Sequence, residues 1–124
     1  EYYAETPGAE YLCGRSEWLM RNVRPHLNGQ TMAKSNIGRD LIEFMGREPE
    51  IWAYYADYDW VVLCQLFGRM IDLPKGWPMF CMDVKQLCVA KGNPRLPEQE
   101  KEGKHHALQD ARWVKEAWEF LNVR

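Results

Sequence analysis

The 124 residues are 46% hydrophobic, with six Trp and six Tyr, enough for one packed core and too apolar for a disordered chain. A net charge of -2 provides no broad basic field, which disfavours a pure nucleic-acid-binding module; a polyanion has to be gripped locally, through metal and a few basic side chains. No apolar run approaches a membrane span and no secretory leader is visible, while the four cysteines form no Cys-x-x-Cys pair that His26 could complete into a zinc motif.

Cys64 and Cys88 lie in apolar surroundings and read as buried reduced thiols, which points to a cytoplasmic setting. The chain is read as a single domain over residues 1–124. A start at Glu1 rather than Met is what a fragment or a processed product shows.

In chain order, Tyr2-Tyr3-Ala4 reads as the end of a strand, broken by Thr6-Pro7-Gly8. Ser16 is placed to cap a helix from Glu17 to about Val23, which Pro25 helps to stop. A second helix fits Lys34 to Met45, with Ile37, Leu41, Phe44 and Met45 on one stripe and Gly46 after it. Glu50 to Ala56 is a short, nearly continuous apolar run suited to a strand covered on both faces.

From Asp59 the period becomes helical. Trp60, Leu63, Cys64, Phe67, Met70 and Ile71 form a stripe ending near Leu73-Pro74. Strand followed at once by helix sets Asp57 and Asp59 at a strand's carboxyl end, where α/β proteins bind ligands. Phe80 to Val89 reads as a short helix with Asp83 near its start. Lys91 to Lys104, rich in Pro, Gly and charge, reads as a mobile loop. The last helix is expected from about His106 to Leu121, with Ala107, Ala111, Val114, Trp118 and Leu121 alternating at spacings of four and three.

An acidic strand end and a His/Asp set at a helix start are what a divalent-metal phosphodiesterase site requires. Hard oxygens hold Mg²⁺ or Mn²⁺, and an imidazole takes a proton from water. The bland alternatives are concrete. Asp59 or Asp57 serves as a helix N-cap, Asp57 being the more natural by position, and His105-His106 is a solvated helix start. His106 and Asp110 are four apart and face one side if the helix already includes His106. His105 and Asp110 are about 140° apart on a helix, so they converge only if His105 lies in the loop.

Ala56-Asp57-Tyr58-Asp59 followed by a helix, then His105 and Asp110 with Ala107-Leu108 between them, resembles the second and third motifs of the DEDDh 3′–5′ exonucleases. The phrases Ile51 through Tyr55, Asp59 through Gly68 and His105 through Trp113 are similar to a small bacterial and phage branch, the 3′–5′ exoribonucleases that include the mycobacterial polyadenylate-specific enzyme. The likeness runs from about Trp18 onward. It implies an α/β, ribonuclease-H-like exonuclease fold with a mixed sheet flanked by helices.

The resemblance further implies a two-metal site for Mg²⁺ or Mn²⁺. Asp59 supports a metal partly through water, Asp110 is a direct ligand, and His105 is the base that deprotonates water. His105 is thereby preferred over the His106 that helix geometry alone selects. Tyr58 and Trp60 are nearby aromatics for stacking a terminal base, with core packing the plainer role for Trp60. Arg112 is in reach of a phosphate, with a solvated surface charge the plainer reading. The implied partner is the 3′ end of single-stranded RNA, with DNA as an alternative; no membrane is involved, and a homodimer stays open.

The family's first motif, an Asp-x-Glu on the first strand, has no counterpart here. The chain therefore reads as lacking its amino-terminal strands, beginning at the third strand of the fold, and inactive or nearly so in isolation. Two rivals stand beside this reading: a binding module that kept the fold and lost catalysis, and a different metal hydrolase using His106 and Asp110.

Overall fold

The computed structural model describes residues 2–3, 15–27, 30–99 and 105–123. Ala4, the Thr6-Pro7-Gly8 break, Cys13 and the loop from 100 to 104 lie outside them. In chain order the elements are β1 (Tyr2–Tyr3), α1 (Glu17–Asn22), a 3-10 turn (Arg24–His26), β2 (Gln30–Thr31), α2 (Lys34–Met45), β3 (Trp52–Ala53), α3 (Ala56–Gln65), a second 3-10 turn (Met70–Asp72), β4 (Met82–Asp83), α4 (Val84–Ala90) and α5 (Ala107–Asn122). The class is α/β. The described strands form two separate parallel pairs, β1 with β2 and β3 with β4.

The first two helices form where their caps predict. Ser16 is extended and its Oγ accepts the Leu19 N–H at 3.3 Å, while Arg24–His26 continues as a tighter turn through Pro25. α2 spans Lys34–Met45 and ends at Gly46, whose φ of 74° suits glycine. Its stripe differs from expectation. Ile37, Gly38, Leu41 and Met45 turn inward, but Phe44 is 87% exposed. The inward arc is centred between Leu41 and Met45 and edged by Gly38, where a Cβ would sit 3.4 Å from the Phe67 ring, and Phe44 falls outside it on one side as Ile42 does on the other. Trp77 closes this cluster by stacking edge-on to Phe67 at 5.4 Å and donating its indole N–H to the Gly46 carbonyl at 2.9 Å. Gly76 has φ of 95° with the Arg47 carbonyl 2.7 Å from any Cβ, so the turn that delivers Trp77 requires glycine.

The Glu50–Ala56 run yields only a two-residue strand, Trp52–Ala53, paired in parallel with Met82–Asp83. Tyr55 adopts a left-handed conformation (φ 57°, ψ 58°), and this turn starts α3 at Ala56, three residues before the expected point. Neither Asp57 nor Asp59 is therefore an N-cap; both lie inside the first turn. α3 stops at Gln65 instead of running to Leu73. Gly68 (φ 120°) breaks it, and Arg69 and Asp72 pair to close a separate turn, leaving Met70 and Ile71 exposed. The segment expected as a helix from Phe80 is strand at Met82–Asp83, because those residues pair with β3, and helical only from Val84.

The core lies between α4 and α5. Val84, Cys88, Ala117 and Leu121 are buried, with Trp52, Tyr54, Leu96 and Trp118 packed around them. The carboxyl half of the α5 stripe is thus internal, while Ala107 and Ala111 remain exposed. Cys64, Cys81 and Cys88 are free thiols. Among the described residues no helix is long and apolar enough to cross a membrane.

One carboxylate ties the β3–β4 ends to both following helices. Asp83 caps α4 through the Lys85 N–H at 2.6 Å and the Gln86 N–H at 3.4 Å, and its other oxygen accepts the Ala56 N–H of α3 at 3.0 Å. Asp83→Ala should lower the unfolding free energy by about 2 kcal/mol, read as a reduced urea midpoint, because it frees amides at two helix starts.

Candidate active site

The two expected carboxylates come from different helices. Asp59 is the fourth residue of α3 and Asp110 the fourth of α5, both in first turns. The starts of these helices are set side by side by aromatic packing. Tyr54, at the end of β3, meets Trp113 of α5 edge-on at 5.0 Å. Trp113 lies three residues, nearly one turn, beyond Asp110.

Electrostatics show that the carboxylates share a neighbourhood. Burial pushes the Asp59 carboxyl above its ordinary value, and the like charge of Asp110 adds to the rise. Cys81, with its Sγ 3.5 Å from the Ile51 carbonyl, is pushed up to about 11 by burial and then by Asp59 and Asp83. Asp83 belongs to the same acidic corner but spends its oxygens on backbone amides. Among the described residues no three His, Cys, Asp or Glu side chains converge as a metal group. The hard oxygens of Asp59 and Asp110 suit Mg²⁺ or Mn²⁺ in kind, and in number they suffice for one ion that takes further ligands from water and phosphate.

His105 lies outside α5, on the turn before it, with a left-handed backbone (φ 67°) and its ring edge-on to Trp18 at 4.8 Å. His106 occupies the N-cap position, so α5 begins at Ala107. Its carbonyl accepts the Asp110 N–H at 2.9 Å and its ring meets His26 at 5.3 Å. The helical i, i+4 pairing considered for His106 and Asp110 thus becomes a backbone link. Tyr58 is 83% exposed beside Asp59, Trp60 is half-buried and Arg112 is exposed.

Four residues that border the site, Asp83, Gln99, Trp18 and His26, had no part in it on sequence grounds. Asp83-Val84-Lys85-Gln86 is an N-cap followed by Gln three residues later, a recognisable helix-start signature, though its second duty at Ala56 has no local trace. Gln99 donates its side-chain amide to Asp110 Oδ1 from an irregular segment, where no periodicity marks it. Trp18 and His26 reach the residues before α5 from the far end of the chain.

With its carboxyl pKa raised in the folded state, Asp59 destabilises the fold as pH rises. A carboxyl whose folded-state pKa exceeds its unfolded value loses stability as pH rises from the unfolded value, 3.8, through the folded one. Asp110→Asn should lower the Asp59 midpoint in ¹³C-detected titration of the metal-free protein, and Asp59→Asn should raise the melting temperature at neutral pH.

The family model described as 3′–5′ exoribonuclease Rv2179c-like domain matches residues 18–122. Two relatives from Mycobacterium tuberculosis are each 36% identical over 121 residues, covering 90% of this chain and 70% of the relative. They are 3′–5′ exoribonuclease Rv2179c of strain ATCC 25618/H37Rv and 3′–5′ exoribonuclease MT2234.1 of strain CDC 1551/Oshkosh. With a match that reaches from α1 to the end of α5, the chain belongs to the Rv2179c-like 3′–5′ exoribonuclease domain family.

Proposed function

We propose that this chain forms a single ribonuclease-H-like domain that removes nucleotides from the 3′ end of single-stranded RNA, with Asp59 and Asp110 holding a divalent ion and His105 acting as general base. The observation that carries the reading is the placement of Asp59 and Asp110, 51 positions apart in the chain, in the first turns of two helices whose starts meet through Tyr54 and Trp113, where the like charge of Asp110 adds to the rise of Asp59. Like charges are costly to gather without a cation, and Mg²⁺ or Mn²⁺ is the class that such oxygens take. When bound, the ion acidifies water and offsets charge on the leaving oxygen.

The chain's own residues account for the remaining chemistry. His105 Nε2 or Nδ1 accepts a proton from water as that oxygen attacks the terminal phosphodiester. The bond from phosphorus to the 3′-oxygen breaks, the 3′-oxygen takes a proton, and a nucleoside 5′-monophosphate leaves. A histidine on a turn outside α5 suits a base that approaches after substrate binds. Tyr58, exposed beside Asp59, offers a ring for the terminal base, and that contact tolerates DNA as well as RNA.

A second reading is a binding module of the same fold without catalysis. Asp110→Ala and His105→Ala in the intact protein should each reduce monophosphate release from a single-stranded oligoribonucleotide by at least 100-fold, on the order of what losing a metal ligand or a general base costs. Undiminished rates would reject the assignment, and Mn²⁺ binding insensitive to Asp110→Ala would favour the binding module.

A further inference from the structure

The segment from Lys91 to Gln99 has no regular structure, yet it is fastened along its length. Asn93 turns left-handed (φ 55°) and donates its N–H to the Cys88 carbonyl at 2.9 Å, and Leu96 packs against the core. The Trp113 indole N–H donates to the Pro97 carbonyl at 2.9 Å. Two residues later Gln99, half-buried, donates its side-chain amide to Asp110 Oδ1. The described part of the segment expected as a mobile loop is therefore attached, through Pro97 and Gln99, to one turn of α5 at two neighbouring positions, Trp113 and Asp110.

We infer that Gln99 is a positioning residue for Asp110, setting the orientation in which that carboxylate meets a divalent ion; this rests on the reading of Asp110 as a metal ligand. A carboxylate on the first turn of a helix has free rotation about its side-chain bonds. One directed amide donor fixes it, and it does so from a backbone already pinned at Pro97. The choice of a neutral donor matters. A lysine here would form an ion pair and cancel the charge the cation needs, whereas a primary amide uses one lone pair of Oδ1 and leaves the carboxylate anionic. Hydrogen bonds to ligating carboxylates commonly contribute about 10- to 100-fold to metal affinity.

Direct Mn²⁺ titration, followed by the electron paramagnetic resonance of free Mn²⁺, separates the possibilities in the wild-type chain, Gln99→Met, Gln99→Leu and Asp110→Ala. Gln99→Met keeps length and volume without the donor, and Gln99→Leu removes the donor with a shorter apolar side chain. The expected result is roughly 10- to 100-fold weaker binding for both Gln99 variants, with circular dichroism unchanged and Asp110→Ala weaker still. Wild-type affinity in Gln99→Met alongside loss in Asp110→Ala overturns the role of Gln99 alone. Undiminished binding in Asp110→Ala, or no binding by the wild type, overturns the metal reading beneath it. Amide exchange probes the same contact without altering Gln99. The Gln99 side-chain amide protons should be slow to exchange in wild type and revert to solvent-like exchange in Asp110→Ala; equal exchange in both overturns the inference.

Discussion

The carboxylate of Asp83 is the constraint on which the rest is assembled. Parallel strands cannot be joined by a tight hairpin, and here each strand of the β3–β4 pair feeds a helix at its carboxyl end. Those two helix starts present unsatisfied amides to the same space. By accepting from Ala56, Lys85 and Gln86, Asp83 satisfies both with one side chain and fixes where α3 begins relative to α4. The position of Asp59, one turn into α3, follows from that registration.

Much of this was legible in the residues. The spans of α1, α2 and α5, the loop position of His105 and the burial of Cys64 and Cys88 follow from caps, periodicity and composition. Apart from the early stop of α3, set locally by Gly68 and the Arg69–Asp72 pair, the failures share a cause, which is tertiary contact overriding a local signal. Tyr55 has strand propensity but turns left-handed, and the first amide of the helix it opens finds its acceptor 27 positions away. Phe44 has the right spacing for the core and the wrong surroundings, because Gly38 rather than a large side chain marks where α2 is approached. Of the candidate site, Asp59 and Asp110 were singled out by their likeness to the family's second and third motifs. Gln99 was not, since nothing local distinguishes a glutamine that reaches a helix eleven positions ahead.

The acidic corner also shows how stability and chemistry are traded. The core residues Val84, Cys88, Ala117 and Leu121 pack against Tyr54 and Trp113, so the core supports the aromatic pair beside the acidic corner. Asp59 feels the like charge of Asp110, an interaction that opposes folding on its own. Tyr54 against Trp113 offsets it by holding the two helix starts together through aromatic contact rather than charge. The aromatic content of the chain, so evident in its composition, thus serves to hold apart-pushing groups at close range.

α1 contains no buried residue, and its Glu17–Arg21 pair is exposed to solvent, so little free energy opposes its local opening. Yet Trp18 and His26 of this weakly held stretch lie against His105 and His106. The turn that carries His105 and His106 therefore has its ring contacts in a stretch that buries none of its own side chains.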